Sequence, residues 1–177
     1  MTFRVLTVCT ANVCRSPLAE ALLRHRLDPA RFAVESAGVR ALDGGRTDPH
    51  VVQLLTRRGI ATADLTPRQL TPEIARQADL VLTATRDHRG QVLEVFPGAL
   101  RRTFTLLEFA ALAGRAEGDD AAAVVRAAAM LRSEGPAEVD IDDPIGQPDA
   151  VHDAVAAQIE DATAAIADRL DPQIARP

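Results

Sequence analysis

A cysteine and an arginine stand six residues apart in the stretch Cys9-Thr10-Ala11-Asn12-Val13-Cys14-Arg15-Ser16-Pro17. In a tight loop, successive backbone N–H groups converge on one point, and a helix that starts there adds positive potential. Such a loop is a cup for a tetrahedral oxyanion. Arg15 could clamp two of its oxygens in a bidentate way. Cys9 at the bottom would be a nucleophile, because the same donors favour its thiolate. Ser16 Oγ is placed to donate a hydrogen bond to the Cys9 sulfur.

The flanking segments suit that role. Phe3 to Val8 is a short apolar run that reads as a strand, and Leu18 to Leu27 reads as a helix with Leu18, Leu22 and Leu23 on one stripe. Ser16 is expected as the N-cap and Pro17 as the first helical residue. Further along, Phe32 to Ser36 reads as a strand ended by Ser36-Ala37-Gly38, and Asp48-Pro49 opens a helix that Gly59 stops. Thr71-Pro72 opens another helix. Asp79 to Thr83 and Thr103 to Thr105 read as strands separated by a helix from Arg86 to Phe96, and Thr105 with Glu108 forms a capping box. Strands alternating with helices predict a parallel sheet with ligands at the strand C-termini, where Cys9 lies.

The loop resembles the C-x5-R-S signature of the low-molecular-weight protein phosphatases, including Asn12 and Ser16. The resemblance implies an α/β fold: one three-layer domain over residues 1–177, with a central four-stranded parallel sheet and helices on both faces. It implies a phosphate loop of Thr10, Ala11, Asn12, Val13, Cys14 and Ser16 around Cys9 and Arg15. The family also has a Ser-Ala-Gly, whose serine, here Ser36, braces the loop asparagine. Relatives often hold that asparagine with a histidine as well, and the matching position here is Leu65. The family places its general acid in an Asp-Pro pair just before the C-terminal helix, which matches Asp143 in Ile141-Asp142-Asp143-Pro144-Ile145-Gly146. Asp142 is the neighbouring candidate. The last helix follows, with a stripe of Val151, Val155, Ile159, Ala162, Ile166 and Leu170.

The implied reaction is hydrolysis of a phosphoprotein through a phosphocysteine on Cys9, with phosphotyrosine as the substrate. It uses no metal and no cofactor. Cys14 could trap an oxidised Cys9 as a disulfide, or serve only as a small buried hydrophobe. Pocket walls would come from Val39 to Thr47, including Leu42, and from Ile145, where tyrosine phosphatases of the family usually place an aromatic ring. Val13 matches the bulky aliphatic position of the tyrosine phosphatases, whereas the arginine-phosphatase branch has a threonine there. A protein-arginine phosphatase is therefore the alternative. An arsenate reductase would relay a disulfide through cysteines this chain lacks, and a non-catalytic phosphate-binding module would not need Cys9 and Asp143.

Composition narrows the choice. The chain has 177 residues and a net charge of −5, which suits one domain and disfavours nucleic-acid binding. All 20 basic residues are arginines, so a Walker-type loop and a Schiff-base lysine are excluded. There is no Tyr and no Trp. Two cysteines preclude a disulfide scaffold, and His25, His50, His88 and His152 are scattered, so no metal site is expected and each is read as a surface or helix-face residue. No apolar run approaches membrane-spanning length and no signal-peptide pattern opens the chain, so a cytoplasmic monomer or weak dimer is expected. Residues 114–138 depart most from the family in length. They are expected to carry a surface helix, capped by Asp119 or Asp120, with a weak stripe of Val124, Val125 and Leu131.

Overall fold

Strand β1 (Phe3–Cys9) is buried over its last five residues, so both of its faces must be covered. In the computed structural model, which describes residues 2–41 and 44–173, it lies inside a four-stranded parallel sheet. The order is β2-β1-β3-β4, with β2 at Phe32–Gly38, β3 at Leu80–Thr83 and β4 at Thr103–Thr105. The helices are α1 (Arg15–Arg26), α2 (Pro49–Arg57), α3 (Pro72–Gln77), α4 (Arg86–Val95), α5 (Leu106–Ala113), α6 (Ala121–Met130) and α7 (Asp149–Leu170).

Alternation along the strands divides the core in two. Val5, Leu80, Leu82 and Phe104 meet α1, α5, α6 and α7, with Leu22, Phe109, Val124 and Ile159 among the buried contacts. Leu6, Val8, Ala37 and Val81 face the other way, toward Ala75 of α3 and Val92 of α4. The expected three layers are thus present. Among the described residues no helix is long and apolar enough to cross a membrane.

From β1 the chain passes to β2 on one side of it and returns to β3 on the other. The C-terminal end of β1 is therefore the switch point at which open α/β sheets bind ligands. Cys9 ends β1 there, paired with Gly38 of β2.

Most helix signals are realised. Asp48 accepts from His50 N and Pro49 follows it, Thr71 accepts from Ile74 N, and the Thr105–Glu108 capping box closes in both directions. Two expectations change. Helix α1 begins at Arg15, with Cys14 as its cap and Leu18 N→Cys14 O (3.1 Å) as an early i→i−4 bond. Ser16 therefore lies in the first turn, where Pro17 is tolerated because first-turn N–H groups have no partner within the helix. Helix α6, capped by Asp120, packs one face more deeply than its weak stripe suggests: Ala121, Val124, Val125 and Ala128 are buried, while Arg126 and Met130 stay exposed. Alanine lets α6 approach its neighbours closely, so few large side chains suffice.

Gly38 is the closest approach of the sheet to the loop after β1. A Cβ there would sit 2.6 Å from Thr10 O and 2.9 Å from Asn12 N, and backbone at that distance cannot give way cheaply. Gly38→Ala is expected to cost about 1–3 kcal/mol in urea unfolding and to lower turnover. Gly90→Ala, on α4 with nothing within 4 Å, should be neutral or stabilising by up to about 1 kcal/mol. Equal stability of Gly38→Ala and wild type would contradict this packing.

Candidate active site

Asn12 sets the shape of the loop. It has φ 58°, the one positive φ outside glycine among the described residues, and its short polar side chain is suited to that region. The side chain is buried and uses its amide fully. Asn12 Nδ2 donates to Ser16 Oγ (2.9 Å) and to Ser36 Oγ (2.7 Å). Its Oδ1 accepts from Arg68 N (3.0 Å). Ser36 Oγ in turn donates to Glu20 Oε2. With its lone pair taken by Asn12, Ser16 has its hydroxyl proton free for Cys9 Sγ, 3.0 Å away. A chain of directed hydrogen bonds thus runs from buried Glu20 to the sulfur.

This network explains the displaced start of α1, because the Ser16 hydroxyl serves the loop rather than the helix cap. It also answers the substitution at position 65. Leu65 is buried in the larger core, and the brace behind Asn12 comes from the Arg68 backbone and from Ser36 held by Glu20. Ser36 has the bracing contact expected of it. Burial raises the Glu20 carboxyl above its ordinary range, opposed by the Ser36 hydrogen bond and the Arg24 charge.

Arg15 is 5% exposed and spans the site. Nη1 donates to Ile141 O (3.0 Å), Nη2 to Asp143 Oδ2 (2.7 Å) and, more weakly, to Thr10 Oγ1 (3.4 Å). The Asp143 side chain is 49% exposed, and its Oδ1 accepts from Ile145 N (3.3 Å). The segment carrying Asp143 is tied to the sheet end through Ile141 N→Ala84 O (2.9 Å). Asp140 adds bonds from Arg86 N, Nε and Nη2. Asp142 is exposed and bonds no protein group among the described residues. Of the adjacent aspartates, only Asp143 reaches Arg15.

The remaining expected residues fall into place around these. Thr10, Ala11 and Val13 are half-buried in the loop, and Cys14 is buried at the start of α1. The Cys14 thiol is pushed up to about 12, first by burial and then by the charge of Asp48, so it stays protonated at neutral pH. Ile145 is 47% exposed, a bare apolar side chain beside Asp143. Leu42 lies outside the described residues.

Sequence reasoning missed His88. Of the two readings, surface or helix face, the second holds: it is buried on α4, with Nε2 2.9 Å from Thr10 Oγ1 and Nδ1 2.8 Å from Thr85 Oγ1. Burial, then the charge of Arg15, lowers its pKa, which favours a neutral ring joining the loop to α4. His152 is also buried, while His25 and His50 are exposed. Glu20 was missed too. Its signal is a carboxylate four residues after Ser16 on the apolar face of α1.

The model of the low molecular weight phosphotyrosine protein phosphatase family matches residues 4–121, which include the loop but stop short of Asp143. A protein-arginine-phosphatase of Geobacillus stearothermophilus is 41% identical over 109 residues, covering 62% of this chain and 72% of that protein. The low molecular weight protein-tyrosine-phosphatase Etp of Escherichia coli K12 is 37% identical over 99 residues, 56% of this chain and 66% of that one. The solved structure of the YwlE arginine phosphatase from Geobacillus stearothermophilus superposes with a TM-score of 0.75 at 33% identity, over 97% of this chain and 94% of that chain. With a matching family model over most of its length, a shared fold and a cysteine-arginine loop at the switch point, the chain belongs to the low molecular weight phosphotyrosine protein phosphatase family.

Proposed function

We propose that this protein dephosphorylates phosphotyrosine in proteins through a phosphocysteine on Cys9. The observation that carries the reading is the convergence on one loop of a sulfur held by Ser16 Oγ at 3.0 Å and an arginine joined to Asp143 at 2.7 Å. Phosphoryl transfer needs in-line attack, charge stabilisation on the equatorial oxygens and a proton for the leaving group. Each has a group here. Cys9 attacks phosphorus as the bond to the leaving oxygen breaks. Arg15 and the amides of residues 10–16 hold the oxygens, and that positive field offsets the charge on them in the transition state.

An incoming phosphoryl dianion competes with the Asp143 carboxylate for Arg15 Nη2. That frees Asp143 from Arg15; beside the phosphoryl dianion it takes up a proton from solvent and passes it to the leaving oxygen. It then takes a proton from the water that attacks phosphocysteine, returning Cys9 as the thiolate. Cys14 cannot replace Cys9, because its thiol stays protonated. Its place in the same loop suits it to trap an oxidised Cys9. Thr10, Ser36, Glu20 and His88 act through the loop as positioning residues.

The substrate follows from the pocket walls. Ile145 offers apolar contact without a ring, and the chain has no Tyr or Trp, so stacking worth about 0.5–1.5 kcal/mol is missing. Phosphotyrosine turnover with a high KM is expected. A second reading, protein-arginine phosphatase, is favoured by the 41% identical relative of that name. Val13 bears on it. It packs partly against the larger core, and it has threonine's shape but no hydroxyl to meet a guanidinium.

Two sets of initial rates test these assignments. Asp143→Asn should slow substrates with poor leaving groups by about 10²–10⁴-fold and activated aryl phosphates less, while Asp142→Asn should be mild. The reverse ranking would remove Asp143 from its role. On matched phosphotyrosine and phosphoarginine peptides, wild type should prefer phosphotyrosine, and Val13→Thr should shift the ratio toward phosphoarginine. A wild-type preference for phosphoarginine would establish the second reading instead.

A further inference from the structure

Three segments far apart in sequence meet behind the anion loop. Cys14 caps α1, Asp48 caps α2, and His152 lies in the first turn of α7. One ligand atom from each of these side chains lies within 4.8 Å of those of the other two. We propose that Cys14, Asp48 and His152 form a binding site for a divalent transition metal of the zinc class, with water as the fourth ligand.

The surroundings fit a metal better than plain packing. His152 is 8% exposed, yet among the described residues neither of its ring nitrogens bonds a protein group. The ring stacks on that of His50 at 4.0 Å. The unprotonated ring nitrogen is therefore left with a lone pair that an ion or a water can take. Cys14 Sγ likewise bonds nothing. A cavity of about 30 Å³ opens beside Cys14 and His152, lined also by His50, Asp153, Leu18 and Val155; it has room for a water-sized occupant, and Asp48 lies outside its lining.

Asp48 is held in place by its cap contacts. Its Oδ1 accepts from His50 N (2.9 Å) and meets His50 Nδ1 (3.2 Å), while His50 Nε2 meets Asp149 Oδ1 (3.1 Å). Outer contacts of that kind fix ligand orientation in metal sites.

The donor set selects the metal. One sulfur, one nitrogen and one oxygen do not suit Mg²⁺ or Ca²⁺, which take oxygen ligands. Three protein ligands plus water is the pattern of open tetrahedral zinc sites, whose ligand atoms lie about 3.3–3.8 Å apart for bonds of about 2.0–2.3 Å. The three ligand atoms, within 4.8 Å of one another, must draw together into that range as the metal binds. The Cys14 thiol gives its proton to solvent as the metal binds, and no electron is transferred. The bound metal would join α1, α2 and α7 directly beneath the anion loop, and it would hold Cys14 away from Cys9.

Cobalt(II) titration of the metal-stripped full chain tests the site, because a thiolate ligand gives an intense charge-transfer absorption. A Cys9→Ser background leaves Cys14 as the one thiol. One equivalent of Co²⁺ should produce the band and Zn²⁺ should bleach it. Cys14→Ser should abolish it. His152→Ala and Asp48→Asn should each weaken Co²⁺ binding by about tenfold or more, while His25→Ala, at an exposed position, should not. Circular dichroism checks the fold of each variant, and the two ligand variants stand in for Cys14→Ser if that protein is unfolded. No band in the Cys9→Ser protein, a band that survives Cys14→Ser but needs Cys9, or unchanged affinity in His152→Ala would each overturn the proposal.

Discussion

The rest of the site depends on the buried amide of Asn12. A loop that turns its N–H groups inward needs a residue at positive φ, and Asn12 takes that conformation while spending both amide protons and its carbonyl oxygen on named partners. Because both amide protons are donated, the hydroxyl of Ser16 has one direction left for its own proton, toward Cys9 Sγ. The hydrogen bonds orient one another in series, so a defect at Glu20, Ser36 or Arg68 reaches the sulfur without touching it. An apolar side chain at position 12 would leave buried donors and acceptors unpaired, at about 1–3 kcal/mol each.

The sheet supplies the rigid frame. Cys9 ends a strand buried on both faces, and Gly38 lets β2 run against the loop backbone without a side chain between them. On the opposite flank, Ile141 N→Ala84 O continues the pattern of β3 just far enough to present Asp143 to Arg15. Arg15 is thus held from two sides, by the carbonyl of Ile141 and the carboxylate of Asp143. One buried guanidinium links a loop near residue 10 to another beyond residue 140.

Much of this was legible in the sequence because it is local. Cys9, Arg15 and Ser16 belong to one short loop, and cap signals at Asp48, Thr71 and Thr105 act within four residues. Asp143 is singled out only through the family resemblance, by its Asp-Pro pair before the last helix. What was not legible is long-range. Nothing near His88 shows that its ring reaches Thr10, and nothing near Arg68 shows that its backbone N–H serves Asn12. The start of α1 was misplaced because Ser16 is a good cap in isolation, and only the tertiary partners Cys9 and Asn12 redirect its hydroxyl. Helix α6 was underestimated because alanine-rich faces have weak patterning, although small side chains permit close packing and deep burial.

The central claim is that Cys9, not Cys14, carries the phosphoryl group. Rapid acid quenching of turnover on an aryl phosphate, followed by mass mapping of the cysteine-containing loop with fragmentation between residues 9 and 14, reads this directly. The account predicts a transient phosphocysteine confined to Cys9, absent in Cys9→Ser, that accumulates further in Asp143→Asn with an activated substrate as its hydrolysis slows. A phosphoryl group on Cys14, or turnover that persists in Cys9→Ser, would contradict it.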